Sequence, residues 1–279
     1  VHNQPLQVLG APKTIDNDLM GVDVSPGYGS AARFIAQTTR NVALDLASMV
    51  GFDQITVVET MGRHTGWLAA ASALGRERSD DPPHLIFFPE KQIDDEKLIV
   101  AVDDAYRRHG VCLVATSEGL RDGKGRFYAE KVTGAEKDAS GQTLLSLSGG
   151  VAAYLAHLVQ KQLGLRCRQI RFDAVQRSAS ASVSPVDRSL AAQVGAFAVE
   201  LALAGQSGVM AGLTRTEDGW SNAARLLEEA SGRERELPLE FMDAERHDVT
   251  PAFIDYCAPL VGELDLQAVQ LHECCDGHP

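Results

Sequence analysis

The chain has 279 residues, 44% hydrophobic and 23% charged, the composition of a globular protein that buries a sizeable core in one large or two moderate domains. Its net charge of −12 argues against nucleic acid as a partner, because phosphate backbones are held by basic surfaces, but leaves room for a small phosphorylated ligand gripped by a local cluster of Arg and Lys. No apolar run approaches the roughly 18 residues of a membrane span, and Cys112, Cys167, Cys257, Cys274 and Cys275 lack CxxC spacing, so no membrane partner, disulfide framework or zinc ribbon is expected and the expected location is cytoplasmic.

In chain order, residues 7–10 read as a strand running into the polar turn Lys13-Thr14-Ile15-Asp16-Asn17-Asp18, with Pro26 and Gly27 as the next interruption. Ala31, Ile35, Val42, Leu46 and Val50 form one stripe and predict an amphipathic helix over 29–50. Residues 55–58, 85–88 and 111–114 are continuous apolar runs suited to strands covered on both faces, and helices over 64–75 and 95–108 fit between them. This alternation predicts α/β architecture with right-handed crossovers and ligands at the carboxyl ends of the strands.

Residues 119–143 carry five glycines among small and charged residues and read as a mobile excursion. A helix over 150–163, a basic strand over 166–171 and a helix over 185–204 follow. Beyond Trp220 the pattern weakens into short helices punctuated by Pro238 and Pro251, with an acidic tail. His272, Cys274, Cys275 and His278 in that tail match no tetrahedral metal module.

Thr14, Asp16 and Asp18 stand at alternate positions, so an extended turn would point a hydroxyl and two carboxylates the same way. A hydroxyl that attacks a phosphoryl group needs a carboxylate to accept its proton, and cations or magnesium to offset the charge of the transferring group. The plainer reading is a turn whose Asp and Asn bond only their own backbone. After the strand at 55–58, Gly62 lets the backbone approach a ligand and Arg63 offers a planar fork of donors suited to phosphate. Glu118 closes the strand at 111–114 and would accept hydrogen bonds from sugar hydroxyls.

The string Pro12-Lys13-Thr14-Ile15-Asp16-Asn17-Asp18 resembles the signature of the phosphofructokinase family, and Glu59-Thr60-Met61-Gly62-Arg63-His64-Thr65-Gly66-Trp67 resembles its hexose-phosphate loop. Lys13 and Trp67 are similar to the pyrophosphate-using branch rather than the ATP-using one. Ser117-Glu118-Gly119 resembles the context of the family's sugar-binding Glu, and Arg168 with Gln176-Arg177 resembles its pair of 6-phosphate-gripping arginines. Looser matches occur at residues 237–241 and 256–260, expected to face the substrate. The pattern departs at Ala174, where relatives carry Tyr or His, and at Gln54, where ATP-dependent bacterial enzymes carry Arg.

The resemblance implies a three-layer α/β/α fold with mostly parallel sheets in two subdomains. Residues 1–27 with 176–236 would form the donor side, left incomplete, and residues 28–175 with 237–279 the side that binds fructose 6-phosphate. It implies phosphoryl transfer from pyrophosphate, or ATP, to the 1-hydroxyl of fructose 6-phosphate, with Asp16 as general base. Lys13 and Thr14 would serve the transferring group, and Asp18 would order hydrated magnesium with no direct protein ligand. Ile15, Met61, Gly62, Arg63, Glu118, Gln176 and Arg177 would contact substrate, with Arg168 supplied across a homodimer or homotetramer. The family's GGxxPG loop and GGDxS turn, which cradle the donor, do not occur in this sequence. A truncated chain is therefore expected, and a fragment that binds the sugar phosphate without transfer is a further alternative.

Overall fold

A computed structural model describes residues 6–49, 51–131, 150–217 and 219–264. The elements are β1 (Leu9–Gly10), α1 (Tyr28–Ser48), β2 (Ile55–Thr60), α2 (Trp67–Ala71), β3 (Leu85–Phe87), α3 (Asp95–His109), β4 (Cys112–Ser117), α4 (Gly150–Leu163), β5 (Cys167–Arg171), α5 (Pro185–Leu203), β6 (Val209–Thr216), β7 (Gly219–Leu226), α6 (Leu227–Ala230), β8 (Met242–Asp243), β9 (Asp248–Val249) and α7 (Pro251–Val261).

The four-stranded sheet runs β3-β4-β2-β5 with every pairing parallel. Its strands divide their residues between two cores. Val58, Ile86, Leu113 and Ala115 join the cluster built with α1, α2 and α7, whereas Ile55, Val57, Leu85, Phe87, Cys112 and Val114 join the one built with α3 and α4. Both faces are covered, which is why these strands read as unbroken apolar runs. This agrees with the α/β architecture expected from the alternation of the sequence and with the three-layer α/β/α arrangement implied by the resemblance.

The second sheet runs β1-β6-β7, parallel between β1 and β6 and antiparallel between β6 and β7. The short helices expected beyond Trp220 are present at Leu227–Ala230, Leu239–Phe241 and Pro251–Val261, but residues 219–226, where none was set apart, form a strand. Its exposed Ser221 and Asn222 carry little apolar signal, and the hairpin turns at Gly219 with a φ of +126° that only glycine adopts easily. Among the described residues no helix is long and apolar enough to cross a membrane.

Two further expectations change in detail. The helix expected over 64–75 begins at Trp67, because the Gly66 N–H is drawn to the Glu90 carboxylate (2.9 Å) and His64 to Glu234 (2.6 Å), leaving 64–66 as a turn. Residues 119–131, expected to be mobile, are tightly built. The Asp122 carboxylate accepts the N–H groups of Lys124 (2.9 Å) and Arg126 (3.0 Å), and fully buried Tyr128 donates to the Ile93 carbonyl (2.6 Å). Residues 132–143 and the tail group His272, Cys274, Cys275 and His278 lie outside the described residues.

Asp187 at the start of α5, which packs on the second sheet, is joined to the start of α1, which packs on the first. Its carboxylate, 4% exposed, accepts the N–H groups of Gly27 (2.9 Å) and Ser30 (3.0 Å) and the Ser30 hydroxyl (2.5 Å), capping α1 from another helix. Replacing it strands buried donors, so Asp187→Ala should cost roughly 2–3 kcal/mol in urea unfolding with an unchanged m-value.

Candidate active site

The carboxyl ends of β2, β4 and β5 lie side by side, with Thr60 opposite Ser117 and Glu59 opposite Arg171. The chain therefore delivers Met61–Arg63, Glu118 and the turn at 173–177 to one edge. Gly62 takes a φ of +116°, and a Cβ there would meet the Thr65 carbonyl at 2.6 Å, so glycine is required by the turn itself. The Ser117 hydroxyl donates to the Gly62 carbonyl (2.8 Å) and accepts the Gly119 N–H (3.1 Å), tying this loop to the one that carries Glu118.

Gln176 lies behind the same loop, 2% exposed. Its amide oxygen accepts the Met61 N–H (3.3 Å) and its amide nitrogen donates to the Asp173 carbonyl (2.9 Å), which braces the loop from within. Arg177 and Ala174 are exposed on that turn.

The Lys13–Asp18 turn faces these loops from the other sheet. An extended turn was expected, but Asn17 adopts a left-handed φ of +57°, and the Thr14 hydroxyl accepts the Asp16 N–H (3.1 Å). The turn therefore curls, because fully buried Asn17 spends its side chain on the Ser25 N–H (3.0 Å) and the Tyr256 hydroxyl (2.8 Å). Ile15 packs partly buried against the core.

The electrostatics of the turn identify what it faces. Burial pushes the Asp16 carboxyl up to about 6, reinforced by Asp18 and opposed by Lys13, Arg177 and Arg63. Its Oδ1 is buried and has no hydrogen-bond partner. Burial, with Glu59 and Asp16 as like charges, pushes Glu118 up to about 7 against the pull of Arg63 and Arg171. Burial raises Asp18 as well, with Glu234 adding to the rise and Arg235 and His64 countering it. The structure thus gathers Lys13, Asp16, Asp18, Arg63, Glu118 and Arg177 into one electrostatic group. It combines a poised base, an unsatisfied acceptor and several cations, as abstraction of a hydroxyl proton beside a phosphoryl group requires.

Arg168 does not join this group. It stands near the start of β5, the opposite end of the strand, and is ion-paired to Asp53 and to Asp45 (3.7 Å). Gln54 lies at that end too, its amide oxygen accepting the Arg166 N–H (2.9 Å). The segments 237–241 and 256–260 supply packing: Phe241 and Tyr256 surround Trp67 with ring centroids 5.9 and 5.3 Å away.

Sequence reading missed Glu90, Glu234 and Arg235. Half-buried Glu90 accepts the N–H groups of Gly66 and Leu237, both at 2.9 Å, and Arg235 lies against Asn17 and Trp67. The only available signal was an acidic or basic residue beside an apolar run, which is common on any surface.

A phosphofructokinase family model matches residues 1–202. The chain is 40% identical over 261 residues to the pyrophosphate–fructose 6-phosphate 1-phosphotransferase of Methylococcus capsulatus, covering 92% of this chain and 61% of that protein. It is 38% identical over 261 residues to the protein of the same name from Halomonas elongata, again covering 92% and 61%. The pyrophosphate-dependent phosphofructokinase of Nitrosospira multiformis superposes with a TM-score of 0.81 at 32% identity, covering 99% of this chain and 64% of that one. The chain thus spans less than two thirds of the length of these relatives. With a family model matched over more than half of the chain and a relative at 40% identity covering 92% of it, the chain belongs to the phosphofructokinase family.

Proposed function

We propose that this chain carries the acceptor side of a phosphoryl transfer from pyrophosphate to the 1-hydroxyl of fructose 6-phosphate, giving fructose 1,6-bisphosphate. The observation that carries the reading is Asp16, a carboxylate with an unpartnered buried oxygen and a carboxyl pushed up to about 6, in the field of Lys13, Arg63 and Arg177. Asp16 takes the proton of the 1-hydroxyl, Lys13 and Thr14 meet the transferring group, and Glu118, Arg63 and Arg177 hold the sugar and its phosphate. Lys13 and Trp67 favour pyrophosphate over ATP as the donor.

Magnesium fits as a hydrated ion that enters with the donor. Among the described residues no group of three His, Cys, Asp or Glu side chains is placed to hold an ion directly, whereas Asp18 suits a contact through its waters. The ion would supply charge neutralisation on the phosphates. Arg168, at the far end of β5, would serve the site of a second copy in a homodimer or homotetramer working in the cytoplasm.

Calorimetric titration of the 279-residue chain with fructose 6-phosphate, followed by assays with magnesium and either pyrophosphate or ATP, tests the reading. Saturable sugar-phosphate binding weakened at least tenfold in Arg63→Gln is expected, with turnover on pyrophosphate in preference to ATP. Absence of binding at millimolar sugar phosphate would overturn the assignment, and binding without turnover would reduce the chain to a sugar-phosphate-binding fragment.

A further inference from the structure

Residues 234–237 cross from one half of the site to the other. On one side Glu234 bridges Leu19, and the Arg235 N–H donates to the Asp18 carbonyl (2.7 Å). The Arg235 guanidinium donates twice to the Asn17 carbonyl, from Nε at 3.1 Å and from Nη2 at 2.9 Å. On the other side the Trp67 indole N–H donates to the Arg235 carbonyl (3.0 Å), and the guanidinium carbon sits 4.2 Å from the centre of the indole. Glu90 repeats the stitch with one carboxylate oxygen, accepting Leu237 N–H from the strap and Gly66 N–H from the loop, both at 2.9 Å. Glu234 meets His64 on that same loop.

We infer that Arg235 is a positioning residue that holds the Lys13–Asp18 turn and the 61–67 loop in register, acting through Asn17 and Trp67. Asn17 follows Asp16 directly and takes a left-handed conformation, which asparagine tolerates better than most residues with a Cβ. Its carbonyl, aimed at the guanidinium, is what fixes the peptide plane leading to Asp18. Base and acceptor come from loops of different sheets, and transfer between them tolerates only a fraction of an ångström of misregister. A planar fork that both bonds one loop and stacks on the other has no equivalent in lysine.

The kinetic part of this inference rests on the proposed role of Asp16, so its test begins with a measurement that needs no substrate. Amide hydrogen exchange is compared among the wild type, Arg235→Gln, Arg235→Lys and Arg233→Gln, whose side chain is exposed on the same segment. Arg235→Gln should speed exchange at least tenfold in both 14–18 and 62–67 while β2 and β4 stay protected. Arg235→Lys should recover only part of the protection, and Arg233→Gln should match the wild type. Faster exchange confined to 233–237, a uniform rise across the chain, or full rescue by lysine would each overturn the inference.

If Arg235→Gln does not fold, Trp67→Phe carries the same test. It deletes the N–H bonded to the Arg235 carbonyl, and exchange should rise in 14–18 although the change lies on the other loop; unchanged exchange there overturns the coupling. In turnover with fructose 6-phosphate and pyrophosphate, Arg235→Gln should lower kcat at least tenfold with KM within threefold, and the reverse split counts against positioning. A wild type without turnover would sink the functional reading, while the exchange data would still decide the structural one.

Discussion

Asp16→Asn is expected to lower kcat about 10²–10⁴-fold while KM for the sugar phosphate stays within a few-fold, since a general base acts only as its proton moves in the transition state. The same substitution should stabilise the protein at alkaline pH. In the folded chain burial raises the Asp16 carboxyl from 3.8 to about 6, so folding favours its protonated form. The stability it contributes is fully present below about pH 4 and is lost as pH rises through about 6, because the ionised carboxylate is better solvated when unfolded. Asparagine removes that cost, and the variant should gain about 1–2 kcal/mol over the wild type at pH 8 and little at pH 4. Glu118 titrates in both proteins but is itself raised by the Asp16 charge, so removing that charge eases Glu118 ionisation and adds to the gain at alkaline pH. In the wild type kcat should climb as pH passes about 6 and Asp16 becomes ionised, a limb absent from the variant. Paired urea titrations and rate profiles check both halves; a variant that keeps its kcat would remove Asp16 from the chemistry.

Gly119→Ala is expected to weaken sugar-phosphate binding strongly without removing any proposed ligand side chain. A Cβ at residue 119 would lie 1.9 Å from the Arg63 carbonyl oxygen, 2.5 Å from its carbon and 2.8 Å from the Gly62 carbonyl oxygen. All three atoms are backbone, so no rotamer change relieves the overlap, and the loop carrying Arg63 must shift by about an ångström to restore ordinary contact. A displacement of that size should weaken binding of fructose 6-phosphate at least about 100-fold and cost roughly 1–3 kcal/mol of stability. The contrast is Gly195→Ala in α5, where no atom lies within 4 Å of the added carbon and the helix should gain about 0.5–1 kcal/mol with binding intact. Calorimetry and urea unfolding of both variants supply the comparison. Undiminished binding in Gly119→Ala would place the acceptor pocket away from residues 61–63.

Much of this arrangement is legible before any coordinates. The runs at 55–58, 85–88 and 111–114 announce strands because each is covered on both faces and carries no polar alternation. The acidic turn at 13–18 and the loop at 59–67 announce themselves because chemistry at close quarters demands particular side chains at particular spacings. Asp16 and Arg63 were nameable from residue chemistry, whereas Lys13, Arg177 and most of the case for Glu118 came from the resemblance to the phosphofructokinase family; all five share one electrostatic field.

Tertiary structure alone decided the rest, wherever a residue's environment comes from far along the chain. Asp122 and Tyr128 turn a glycine-rich stretch into a packed corner only because Ile93 is there to receive the Tyr128 hydroxyl. Residues 219–226 become a strand because β6 offers an edge, not because their own pattern asks for one. Asn17 curls the Lys13–Asp18 turn through a tyrosine 239 residues away, and Arg235 reaches back 218 residues to grip the same peptide. The sequence by itself therefore determined the strand runs, the helical stripes and the residue types offered to the candidate site, because these depend on local periodicity and residue chemistry. The direction of the carboxylates, the start of α2 and the strap joining the two loops were decided by long-range hydrogen bonds, whose partners no local pattern encodes.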